Sequence, residues 1–88
     1  MILLKEGGFM LDRIVVKKVI GIKECTKFMN NGLGIVLLVA KDTDAKLIYP
    51  IIQLAIQKNI KIVEIPTMKE LGKIAGINVK ASTVLTLE

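Results

Sequence analysis

Gly21-Ile22-Lys23-Glu24-Cys25-Thr26-Lys27 puts a glycine where a short apolar run gives way to helical spacing. Ile22, Cys25 and Met29 then mark one side of a helix, and Lys23, Glu24 and Lys27 the other. Two cations beside a helix N-terminus can neutralise phosphate, and the carboxylate they flank can accept hydrogen bonds from a base edge. A surface that only attracted phosphate would have no use for the carboxylate. The plain alternative is a solvated helix face, because Lys and Glu at such spacings are ordinary and stabilise a helix by only about 0.2–0.5 kcal/mol per pair.

Other chemistries are poorly supplied. The chain has no histidine and one cysteine, which excludes an imidazole base, an intrachain disulfide and an ordinary Cys/His zinc site. Cys25 reads as a small helix residue facing the core, since a catalytic thiol wants a neighbouring base. Asp42 and Asp44 are metal-ligand types, but they precede an apolar helical pattern and read better as caps. Gly32-Leu33-Gly34 precedes a strand instead of following one and lacks a third glycine, so it reads as a tight turn and not a dinucleotide fingerprint. Aromatic content of 3% argues against base-stacking platforms built on strands. No catalytic constellation is present, so the chain is read as a non-enzyme that needs no cofactor and no metal.

The elements that must position these residues belong to one small domain of 88 residues. A chain this short buries roughly 60–65% of its unfolded surface, and 52% hydrophobic residues, mostly Ile, Leu, Val and Ala, compensate. The net charge of +5 comes from 13 basic residues, with Arg13 the sole arginine. It favours an acidic partner such as nucleic acid. No apolar run is long enough to span a bilayer, and the start does not have the order of a signal peptide. The cytoplasm is the expected compartment, and nothing specific points to an oligomer, so a monomer is expected. Lys5-Glu6-Gly7-Gly8 sits just before Met10, and codons for it can spell a purine-rich ribosome-binding sequence. Residues 1–9 are therefore expected to be a start-site extension, with residues 10–88 the domain. A genuine N-terminal tail is the alternative.

Apolar spacing predicts a short helix over residues 10–16, a strand over 19–21 and a helix from 22 that Asn30-Asn31-Gly32 stops. Residues 35–40 are apolar on both faces, as in a central strand covered on both sides. A helix over residues 45–58 follows, with Pro50 either kinking it or marking a boundary. Residues 61–65 form the next strand. Thr67-Met68-Lys69-Glu70 is a capping box opening a helix that Gly76 stops, and the last strand lies within residues 79–87. Strand–helix alternation with short connections means an α/β domain with helices on both faces of the sheet.

From about residue 10 the chain resembles the kink-turn-binding ribosomal protein family L-seven-Ae, most of all its small bacterial YbxF-type members. Four segments carry the resemblance in order. They are Gly21-Ile22-Lys23-Glu24-Cys25-Thr26-Lys27, Leu38-Val39-Ala40-Lys41-Asp42-Thr43-Asp44, Ile65-Pro66-Thr67-Met68-Lys69-Glu70-Leu71-Gly72 and Ala75-Gly76-Ile77-Asn78-Val79-Lys80-Ala81-Ser82. The resemblance implies a three-layer α/β/α sandwich around a four-stranded mixed sheet. It implies binding to the kink-turn, an RNA bend stabilised by tandem sheared G·A pairs, in ribosomal or structured regulatory RNA. It implies that Gly21 lets the backbone approach the RNA, with Ile22 next to it in the RNA-binding segment, that Lys23, Glu24 and Lys27 meet the guanines and phosphates of the G·A pairs, and that Ile77, Asn78, Val79, Lys80, Ala81 and Ser82 cover the extruded nucleotide.

Some positions depart from the family pattern. Archaeal relatives usually carry Asn where Lys23 stands, whereas bacterial members carry Lys. Ile22 stands where Thr is common and lacks its hydroxyl, and Lys80 stands where Pro or Gly is common. These departures bear on affinity more than on binding itself. Two other functions share the pattern: a ribosome-associated paralogue with no preference for isolated kink-turns, and an accessory substrate-binding domain for an RNA-modifying enzyme.

Overall fold

The computed structural model describes residues 17–88. The expected helix over 10–16 and the expected extension over 1–9 lie outside the described residues. The elements run β1 (Lys18–Ile20), α1 (Ile22–Asn30), β2 (Val36–Ala40), α2 (Ala45–Gln57), β3 (Lys61–Ile65), α3 (Met68–Ala75) and β4 (Thr83–Thr86). The strands form one mixed sheet in the order β1-β4-β2-β3. β2 and β3 pair in parallel, Val36 opposite Lys61 and Ala40 opposite Ile65. β4 runs antiparallel to both neighbours, with Ile20 and Leu38 each opposite Val84.

The apolar-on-both-faces reading of β2 is what the sheet requires. Leu37 and Val39 join Cys25 and Met29 of α1, Ile51 and Ala55 of α2, and Leu85 in one core. Leu38 and Ala40 join Leu71 and Ala75 of α3, with Val84, in the other. Alternate residues of one strand thus serve opposite layers, and each fully buried Leu, Val or Ile contributes about 1.5–3 kcal/mol. The result is the α/β/α sandwich.

Pro50 lies inside α2 and does not mark a boundary. It is exposed, so the Lys46 carbonyl that its missing N–H leaves without an intrahelical partner can face water. Each helix closes through a residue at positive φ just past its end: Gly32, Asn59 and Gly76. The capping box is made on one arm only. Thr67 Oγ1 accepts from the Glu70 N–H at 3.0 Å, while the Met68 N–H is taken at 2.8 Å by Asp42, 26 positions earlier in the chain. Of the two acids read as caps before α2, Asp44 serves α2 by accepting from the Lys46 N–H, and Asp42 serves α3.

Candidate functional site

β4 is antiparallel to β1 and β2, and β3 is parallel to β2, so β1, β2 and β3 all point one way. The starts of α1, α2 and α3 and the entry to β4 therefore gather at one end of the sheet. Ligands of open α/β sheets bind outside the carboxyl ends of the strands, where neighbouring connections diverge. Backbone hydrogen bonds lash this end together: Gly21 N–H to Thr83 O (3.0 Å), Ala40 N–H to Ser82 O (2.9 Å), Lys41 N–H to Ile65 O (2.8 Å) and Ala81 N–H to Met68 O (3.1 Å).

Gly21 is the N-cap of α1, at φ 102° and ψ 148°, and offers no side-chain cap. That backbone region is essentially reserved for glycine. An added β-carbon would meet nothing within 4 Å, so the requirement is conformational, and the space before the helix is open. The first N–H groups of α1 face that space without a protein acceptor from the cap, which leaves the positive end of the helix available to an anion. Lys23, Glu24 and Lys27 are exposed. None of the three makes a side-chain hydrogen bond or ion pair with the described residues. Ile22 is half-buried and packs against the first core instead of reaching outward.

Cys25 holds α1 down. It is fully buried; its thiol donates to Val19 O at 3.3 Å and accepts from Thr83 Oγ1 at 3.4 Å. Burial pushes the thiol above its ordinary value, which keeps it protonated and unreactive at neutral pH.

The six loop positions singled out in the sequence divide into tip and anchor. Asn78, Val79 and Lys80 are exposed, Val79 to 69%. Ile77 is half-buried against the second core and donates its N–H to Gly72 O at 3.0 Å. The Ala81 side chain is 3% exposed and belongs to that core, so this position presents no side chain outward. Ser82 turns its hydroxyl to Met68 Sδ at 3.7 Å.

Two cations escaped the sequence reading. Lys69 and Lys73 on α3 line an open groove of about 530 Å³ together with Ile77, Asn78, Val79 and Lys80. Their spacing of four on a helix was visible, but only the folded loop brings them beside Lys80. Glu70 and Lys73 also border a neighbouring groove of about 820 Å³ that ends at Ile77 and Asn78. Among the described residues no group of three acidic, Cys or His side chains could hold a metal ion, and no helix is long and apolar enough to cross a membrane.

Comparison with known proteins adds a family to this geometry. Residues 13–88 match the model of the ribosomal protein L7Ae/L30e/S12e/Gadd45 family. The chain is 38% identical over 74 residues to RNA-binding protein TTE2299 of Caldanaerobacter subterraneus, covering 84% of this chain and 90% of that protein. It is 32% identical over 71 residues to RNA-binding protein YbxF of Geobacillus stearothermophilus, covering 81% and 87% respectively. In structure it is similar to the Giardia lamblia 15.5kD RNA binding protein, with a TM-score of 0.75 and 19% identity over 81% of this chain and 60% of that one. At that identity the likeness is one of fold.

Proposed function

The chain belongs to the ribosomal protein L7Ae/L30e/S12e/Gadd45 family, and from that premise we propose that it is a non-enzymatic RNA-binding protein that recognises kink-turns. Its target class is ribosomal or structured regulatory RNA. The observation that carries the reading is the meeting of two surfaces at one end of the sheet. Helix α1, which carries Lys23, Glu24 and Lys27 with no side-chain partner among the described residues, starts where the 77–82 loop enters β4, and the Gly21 N–H to Thr83 O bond ties the two together.

The chemistry follows from what a kink demands. A sharp bend crowds phosphates and is electrostatically costly, so a protein that places cations there lowers the free energy of the bent form. Lys23 and Lys27, with the open N-terminus of α1 between them and the chain turn, supply that charge. Glu24 accepts hydrogen bonds from guanine N–H groups on the G·A pairs, which separates recognition from attraction. Asn78, Val79 and Lys80 close over the extruded nucleotide, while Ile77, Ala81 and Ser82 hold the loop in place. Lys69 and Lys73 extend the positive surface beneath it. Binding selects the bent RNA from its ensemble and stabilises it.

The test is titration of the purified protein into a short kink-turn duplex at physiological salt. The control is the same duplex with its G·A pairs changed to Watson–Crick pairs. Low salt would let any basic protein bind. The expected result is tight binding to the first duplex alone. Equal binding to both, or to neither, overturns kink-turn recognition.

A further inference from the structure

Resting on that RNA reading, we propose that Gly72 is the positioning residue of the 77–82 loop: its missing side chain lets the loop seat on α3, and this sets where Val79 and Lys80 meet the RNA. Gly72 is buried in the interior of α3, where glycine is less favourable than alanine. Its backbone is not at positive φ, so the helix itself does not ask for glycine. The loop does. A β-carbon at Gly72 would overlap the Val79 carbonyl oxygen, and would lie 3.1 Å from the Val79 carbonyl carbon and 3.4 Å from Lys80 Cα. These are backbone atoms, so no side-chain rotation relieves the overlap and the loop must move as a piece.

The loop is tied to α3 on both sides of this close approach. Ile77 N–H donates to Gly72 O at 3.0 Å, and Ala81 N–H to Met68 O at 3.1 Å, one helical turn away. Ser82 Oγ adds the contact to Met68 Sδ. Bonds at each end with backbone against Gly72 between them leave Val79 and Lys80 projecting outward in a fixed place. A loop held ready costs less ordering on binding.

Wild type and Gly72→Ala are titrated into the kink-turn duplex and its Watson–Crick control, each well below its own melting temperature, with amide NMR spectra of both free proteins. The expected result is about tenfold weaker binding by Gly72→Ala. Spectral changes should be confined to α3 and residues 77–82, with signals of Gly21 to Lys27 in place, and trypsin should cleave faster after Lys80. Helix propensity alone would make the variant more stable and leave affinity unchanged. A wild type that discriminates between the duplexes beside a Gly72→Ala protein that binds equally well overturns the role of Gly72 alone. A wild type that does not discriminate overturns kink-turn recognition, and with it the role of Gly72 in placing Val79 and Lys80 on that RNA. Should Gly72→Ala not fold, hydrogen exchange in wild type decides: Ile77 and Ala81 amides slowed about a hundredfold or more against an open chain support the seated loop, and unprotected amides overturn it.

Discussion

In the proposed function, Glu24 is the side chain on which selectivity turns. A carboxylate on a basic surface opposes phosphate, so its removal from a merely attractive surface should leave affinity unaltered or raise it. If Glu24 accepts from guanine, Glu24→Ala weakens kink-turn binding by roughly 1–3 kcal/mol, read from the two-duplex titration. Lys27 answers a different measurement. Lys27→Ala should lower the slope of log K against log salt by about one unit if it neutralises one phosphate, and an unchanged slope denies it that role. Both residues were legible in the sequence because a 3.6-residue period alone separates them from Cys25 and Met29. Ala81 and Lys69 were not. Whether Ala81 faces core or ligand depends on the path of a loop with no period, and Lys69 joins the surface only because that path returns to α3.

The elements hold the site through caps that cross the chain. Sequence spacing led to a self-contained capping box at the start of α3, yet the Glu70 side chain does not return the bond to the Thr67 N–H, and the Asp42 carboxylate adds a cap of its own on the Met68 N–H. Local rules see Thr67 and Glu70 three apart; they do not see a turn after β2 arriving at the same point. The bond joins the connection between β2 and α2 to the helix that seats the loop. Asp42→Ala should therefore destabilise the protein by about 1 kcal/mol, or about 4–8 °C in Tm, followed by thermal unfolding. An unchanged Tm would mean water replaces the carboxylate without loss. Helix starts and ends were both read to within a residue; what spacing could not show is which oxygen caps a start, because Gly32 and Gly76 act through their own backbones whereas a cap needs only an oxygen from anywhere nearby.

At the scale of the molecule, Cys25 links α1, β1 and β4, and its burial gives stability a pH dependence. The folded thiol stays neutral above its ordinary value near 9.0, whereas the unfolded thiol ionises there. Unfolding then releases a proton, so this contribution is complete below about pH 9 and is lost as the pH rises further. Urea midpoints of wild type and Cys25→Ala, compared from pH 7 to 10, should converge as the wild type loses its extra stability; parallel curves would deny the thiol this effect. The same residue shows where sequence and tertiary structure divide the work. Sequence alone determined the helices and strands of residues 17–88, the inward face of α1, the two-faced burial of β2 and the charged triad, because each is set by side-chain period and by local backbone preference. Only the tertiary structure decided that β4, last in the chain, enters between β1 and β2. That placement depends on non-local pairing, in which Thr83 meets both Gly21 and Cys25, and it is what ties the entry to β4, where the 77–82 loop ends, to the start of α1 at one end of the sheet.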